Sequence, residues 1–284
     1  MKLVTFLGAN ATVQPGVIQN GHVVGLAGMG LTSMTSVIVA GESARRQIAS
    51  YVASNEPSSP MLETVKLLAP IARPPKIICI GLNYRDHAIE SNMAIPEVPT
   101  VFCKFASSVI GPGDNVVLPK NSTKPDYEAE FAVVIGKAGR YIAPEKWQDH
   151  VFGYLNLNDV SARDYQLATT QWVIGKTFDT FCPMGPYILT KDEVADPHNL
   201  EIKMTINGEV LQHSNTKHLI FNIPTLIAHL SSVMTLEVGD IISTGTPAGV
   251  GLGRTPQRWL VPGDEMVVEV EGLGALKNKC VAEA

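Results

Sequence analysis

Asp126-Tyr127-Glu128-Ala129-Glu130-Phe131-Ala132-Val133-Val134-Ile135 reads as a strand that starts acidic and ends apolar. Residues two apart on a strand project from the same face, so Glu128 and Glu130 point the same way beside a run that seeks burial. Two like charges there repel each other and resist desolvation. They are either solvated on an edge strand or compensated by something else. A third carboxylate, Asp159 in Leu157-Asn158-Asp159-Val160, follows a second strand-like run and would complete an oxygen-rich site for a hard divalent cation, magnesium or manganese.

Strand signals continue on both sides of this stretch. Lys76–Ile80 and Val116–Leu118 precede it, and Tyr154–Asn158, Asp240–Ser243 and Met266–Val270 follow. Glu201–Ile206 alternates, meets Asn207-Gly208 and returns through Glu209–Gln212, which is the pattern of a hairpin. Two helices stand out in this region, a short one after Asp164 and Ile223–Met234, with a proline near the start of the second. Residues 1–70 differ. Apolar stretches Leu3–Phe6 and Val13–Ile18 lead to a hairpin around Gly21–Leu26, and helices are expected over Gly41–Ala53 and Met61–Leu68. Arg73-Pro74-Pro75 breaks regular structure. The expected fold is α+β and β-rich. A small N-terminal α+β domain (1–70) precedes a catalytic domain (71–284) built as a mixed sandwich, roll or barrel-like sheet rather than a doubly wound one.

Composition narrows the function. Hydrophobic residues make up 45% of the 284 residues and charged ones 17%, as in a globular protein. The net charge of −5 gives no electrostatic case for nucleic acid or for an anionic membrane. No apolar run has the length of a spanning helix. The four cysteines form no Cys-x-x-Cys pair and are read as reduced thiols. The first residues carry neither a signal core nor an Arg-rich transit pattern, so the expected location is cytoplasmic, or the mitochondrial matrix if a transit segment has been removed.

Four further segments carry chemistry. In Gly81–Glu90, His87 and Glu90 stand at i, i+3 on a short helix that Asp86 would cap. They are either a surface pair or a carboxylate–imidazole couple suited to activating water. Arg163 and Gln166 begin a helix just beyond Asp159 and could contact a carboxylate or oxo group, or serve a capping turn. Lys176 lies in an apolar loop, as an anion partner or as a snorkelling surface lysine. A Walker A reading fails because Thr170 stands where a glycine is required. Ser243-Thr244-Gly245-Thr246-Pro247-Ala248-Gly249 follows a strand. Its amides, including that of Gly245, and the Thr246 hydroxyl could grip a carboxylate, or form a plain turn.

Taken in order, Gly81–Tyr84 with His87 and Glu90, Lys104–Ser108, Glu128-x-Glu130, Asp159–Asp164, Gly175–Thr180 and Thr244–Pro247 resemble the fumarylacetoacetate hydrolase family over about residues 75–282. Within it, Lys176–Pro186 and Ala195–Leu200 are similar to the group of fumarylacetoacetate hydrolase domain-containing protein 2. The resemblance implies a β-rich mixed roll, assembled as a homodimer. It implies Mg²⁺ or Mn²⁺ on Glu128, Glu130 and Asp159, and a water-activating His87–Glu90 dyad on a mobile lid. It further implies Lys176 beside a developing oxyanion, and Arg163, Gln166, Thr246 and Gly245 at the substrate. The implied substrate is a small 2-oxo acid, which chelates the cation so that an enolate is stabilised. Hydrolysis of a C–C bond in an acylpyruvate or diketo acid is the first expectation. Oxaloacetate enol–keto tautomerisation or decarboxylation at the same site is the alternative. A metal-holding homologue without catalysis is the rival from another class.

Overall fold

The computed structural model describes residues 1–8, 11–90 and 94–284. Its centre is the Ala129–Ile135 strand, every residue of which is buried. Alternate side chains enter different cores. Phe131, Val133 and Ile135 join one apolar cluster, and Ala132 and Val134 join the other. A strand covered on both faces reads as a continuous apolar run, which explains why Phe131–Ile135 shows no polar alternation.

This strand lies inside an 11-stranded mixed sheet. On one side come Val151–Asn158, Cys182–Thr190, Lys2–Leu7, Val13–Gln19 and His22–Gly25; on the other come Ile241–Ser243, Ile77–Gly81 and Thr100–Lys104. A five-stranded sheet runs Glu209–Asn215, Glu201–Ile206, Glu265–Val270, Ala275–Ala282 and Asn115–Leu118. Met204, Val268 and Leu276 of this second sheet share a core with Phe131 and Tyr154 of the first. The opposite face of the large sheet packs on Val37, Ile38, Ile48 and Val52 of the Met34–Asn55 helix. Among the described residues both sheets are open, ending in free edge strands, so the architecture is a layered roll and not a closed barrel.

The predicted Asn207-Gly208 hairpin forms, with both residues at positive φ (51° and 85°). The Ile223–Val233 helix also forms, capped by Asn222, whose Oδ1 accepts from the Thr225 amide at 3.1 Å.

One expectation for the N-terminal part, the Met61–Leu68 helix, needs correction. The helix expected over Gly41–Ala53 forms, and a further helical segment from Met34, where Ser33 and Ser36 cap each other reciprocally, meets it across a break at Gly41 (φ 59°). Met61–Leu68 is not a helix. A single turn, Leu62–Thr64, leads into a Lys66–Leu68 strand paired with Thr5–Leu7. An available sheet edge outweighs the helix-forming side chains of that segment. Lastly, Lys2 and Leu3 pair with Leu189 and Ile188 of the catalytic part. The boundary expected at residue 70 therefore divides the sequence but not the hydrogen-bonded sheet.

Candidate active site

Register alone gathers the three carboxylates. Ala129 pairs with Asn158, and the Asp159 amide donates to the Glu128 carbonyl at 3.0 Å, so Asp159 lies beside Glu128 at the adjoining strand ends. On the other flank Ala132 pairs with Ser243; continuing that register brings Gly245 level with Glu130, and its amide donates to Glu130 Oε2 at 3.0 Å. Glu128, Glu130 and Asp159 each offer an oxygen within 4.8 Å of the others, and all three are buried.

Buried cations serve two of the three acids. Lys176 Nζ donates to Glu128 Oε2 (2.7 Å) and Asp159 Oδ2 (2.9 Å). Lys104 Nζ donates to Asp159 Oδ1 (2.7 Å) and to the carbonyls of Val160 and Lys176. Arg163 Nη2 lies 2.7 Å from Glu128 Oε1. Burial alone would raise the Glu128 pKa, but Lys176 and Arg163 outweigh it and hold the carboxyl at about 2. Burial likewise works against the Lys176 charge, yet Asp159 and Glu128 raise its pKa, so it stands here as an ammonium and not as a base. Glu130 differs. Its recorded partners are the Ser243 hydroxyl and the Gly245 amide, both on Oε2. Burial, then Asp159 and Glu128, push its carboxyl well above the usual range. An all-oxygen donor set in which one acid lacks a cationic partner among the described residues fits a hard divalent cation, which Glu128, Glu130 and Asp159 would hold.

The His87–Glu90 pair faces the same space. Both residues lie on the short Arg85–Glu90 helix, with His87 Nδ1 3.4 Å from Glu90 Oε2. Asp86 sits in the first turn of this helix, where its Oδ1 accepts from the His87 amide and its Oδ2 from the Ser214 hydroxyl. The Gly249 amide donates to both Glu90 oxygens, at 3.0 and 3.1 Å. Gly249 has φ 101°, and a Cβ there would lie 2.1 Å from the Leu211 carbonyl oxygen, so only glycine fits. Gly175 meets a similar constraint. A Cβ there would lie 2.3 Å from the Gln166 amide nitrogen, so the turn carrying Lys176 seats directly on the Arg163–Gln166 turn.

A cavity of about 640 Å³ is lined by His87, Glu90, Glu128, Glu130, Arg163, Gln166, Lys176 and Thr246, with Phe102, Trp172 and Leu252 as apolar wall. Three predicted substrate contacts have polar atoms engaged within the protein: Arg163, Gly245 and Thr246, whose hydroxyl donates to the Ala129 carbonyl (2.9 Å) and accepts from Gln212 Nε2 (2.8 Å). Arg163 spends Nε on Asp126 (2.8 Å) and Nη1 on Gln166 Oε1 (2.8 Å), besides its pair with Glu128. Gly245 serves Glu130. Sequence reasoning assigned no role to Lys104 or Asp126. Lys104 ends an edge strand, and its partners are more than fifty residues away in the chain. Asp126 opens the decisive stretch, yet its partners are Arg163 and the amides of Gly251 and Leu252.

An open, sheet-rich roll that gathers three buried carboxylates, two buried lysines and a His–Glu pair at one site, with Glu128, Glu130, Lys176, His87 and Glu90 lining its cavity, defines an enzyme class with a possible divalent-metal site. Comparison with known proteins gives the family. Residues 76–281 match the family described as Fumarylacetoacetate (FAA) hydrolase C-terminal, and the chain belongs to the fumarylacetoacetate hydrolase family of enzymes. A curated relative, oxaloacetate tautomerase FAHD2A, mitochondrial, of Bos taurus, is 48% identical over 251 residues, covering 88% of this chain and 80% of its own. Among solved structures, fumarylacetoacetate hydrolase from psychrophilic Exiguobacterium antarcticum superposes with TM-score 0.86 at 37% identity. Maleylpyruvate hydrolase from Sphingobium sp. SYK-6, in complex with manganese(II) ion and pyruvate, does so with TM-score 0.83 at 32% identity. Each of these two matches covers 100% of both chains.

Proposed function

We propose that this enzyme interconverts the enol and keto forms of oxaloacetate at a divalent cation, Mg²⁺ with Mn²⁺ as the alternative, held by Glu128, Glu130 and Asp159. The observation that carries the proposal is the meeting of Glu128 and Glu130 with His87 and Glu90 in one cavity, with an oxygen of Asp159 within 4.8 Å of both acids. The bovine relative's name supports oxaloacetate, and the manganese–pyruvate complex of the Sphingobium protein supports a cation that takes a 2-oxo acid. Tautomerisation thus moves ahead of the hydrolysis expected first. The bound cation would supply the positive charge that draws in the carboxylate and 2-oxo oxygens and favours loss of a C3 proton.

The chain's own groups do the rest. Glu90, fixed by the Gly249 amide, orients the His87 ring through Nδ1 and leaves Nε2 as the atom that takes and returns a proton. The Lys176 ammonium offsets negative charge at the substrate oxygens. Gln166 lines the cavity as a hydrogen-bonding group and Thr246 lines it with its hydroxyl engaged by Ala129 and Gln212, while Arg163 holds Glu128 and Gln166 in place. Acylpyruvate hydrolysis is the second reading, favoured by the same His87–Glu90 pair, which is also built to deprotonate water. A homodimer is the proposed assembly, supported by the exposed Val101 and Phe105 on and beside the free edge strand Thr100–Lys104. The relative's mitochondrial designation supports the matrix alternative for location.

The decisive assay follows enol-oxaloacetate conversion and acylpyruvate cleavage side by side, with MgCl₂, with MnCl₂ and with EDTA. Metal-dependent acceleration of the enol–keto step is expected. Cleavage without that acceleration would establish the second reading, and inactivity towards both acids would overturn the proposal.

A further inference from the structure

The cavity's cations are unequally occupied. Arg163 uses Nε, Nη1 and Nη2 on Asp126, Gln166 and Glu128. Lys176 is held between Glu128 and Asp159. Arg254 lines the same cavity with far looser partners. Its Nη1 donates to the Leu211 carbonyl at 3.3 Å, and its Nη2 stands 3.9 Å from Glu209, a side chain that is 73% exposed. An ion pair of that length to a solvated carboxylate contributes little, so the guanidinium fork is available to a ligand.

The loop that carries Arg254 is fixed. Asp126, buried, accepts from the Gly251 amide at 2.7 Å and the Leu252 amide at 3.0 Å while it binds Arg163 Nε. The Arg254 amide in turn donates to the Gly251 carbonyl at 3.4 Å. One buried carboxylate therefore anchors both arginines, Arg163 by its side chain and Arg254 through its backbone. Fixing the backbone lowers the entropy lost when the fork closes on a ligand.

We infer that Arg254 is a specificity-determining residue that binds the distal carboxylate of a 2-oxo dicarboxylic acid. The inference rests on the proposed 2-oxo acid function and deepens it. A 2-oxo acid that met a cation on the triad through its carboxylate and oxo oxygens would leave its far end to the rest of the cavity, which Arg254 lines. A second carboxylate there, taken out of water, needs a cationic partner. Arginine presents a planar pair of donors that matches a carboxylate in two parallel hydrogen bonds. An acylpyruvate with an apolar tail would have no use for this group.

The test measures binding by calorimetry to the manganese-loaded protein, with two unreactive acids of equal chain length: 2-oxopentanedioate, which has the distal carboxylate, and 2-oxopentanoate, which lacks it. In Arg254→Met the Kd for 2-oxopentanedioate should rise about tenfold or more, the scale of a charge-assisted hydrogen-bonded pair. The Kd for 2-oxopentanoate should stay within about twofold. Arg254→Lys, which keeps the charge but loses the fork, should recover part of the difference. In turnover of oxaloacetate the loss should fall on KM and not on kcat. Equal weakening of both acids would make Arg254 a structural residue and overturn the inference, as would no change in either. Wild-type protein that binds neither acid would instead overturn the parent function, and this inference with it.

Discussion

Glu130 carries the sharpest consequence at the scale of single residues. Glu128 and Asp159 are stabilised by Lys176, Lys104 and Arg163, whereas the recorded partners of Glu130 are a hydroxyl and an amide. A buried acid whose pKa is raised binds more protons folded than unfolded, so its contribution to stability falls as pH climbs above the unfolded value of about 4.3. Glu130→Gln removes that penalty. In EDTA, thermal melts of this variant and the wild type should coincide near pH 4 to 5 and separate above it, with the variant the more stable by about 1 kcal/mol or more near pH 7.5. Added Mg²⁺ or Mn²⁺ should raise the wild-type Tm and leave the variant's unmoved. A variant that melts lower than the wild type in EDTA at both ends of this range would show that Glu130 already has its partner. The acid triad was legible because two-residue spacing and a strand-end aspartate are local signals. Lys104 was not, because nothing near a strand-terminal lysine reports an aspartate and two carbonyls across the sheet.

Among the elements, the two single turns Arg163–Gln166 and Val173–Lys176 set where the cations stand. Neither is long enough to be stable alone. Each persists because the other packs on it, with Gly175 at the point of contact. Gly175→Ala forces a methyl into the Gln166 backbone and should cost about 1–3 kcal/mol by overpacking. It should also lower kcat, because Lys176 is the next residue. Tm and kcat of the variant check both effects; an unaltered kcat beside a lowered Tm would show that this contact does not place Lys176. The sequence marked the Gly175-Lys176 loop as special but predicted no turn there. Residues 61–68 went astray for a related reason. Their side chains favour helix, but the exposed edge of the Lys2–Leu7 strand takes Lys66–Leu68 as a partner.

At the level of the whole molecule, the N-terminal strands and the site share one sheet. Leu3 pairs with Ile188 and Val17, and the same sheet runs on through the strands that bear Glu130 and Asn158. Cutting at residue 70 would expose Ile188, Leu155 and Val134, which the Met34–Asn55 helix and its strands cover. The chain should therefore unfold in one calorimetric transition, and a fragment beginning at residue 71 should not fold cooperatively. Two separable transitions, the lower one abolished by deleting residues 1–70, would establish an independent N-terminal unit.

Local order along the chain was enough to establish the identity of the acids, the strand-rich character of residues 76–281 and the family, because these depend on spacing within a segment. Folding settled which cations neutralise which carboxylates, that Arg163 and Gly245 serve acids of the triad, that Arg254 stands loosely held in the cavity, and that the first strands complete the sheet that carries the site. Those outcomes depend on sheet register and on contacts between segments far apart in the chain. A hydrogen bond or ion pair forms by proximity in space, and local periodicity holds no record of that distance.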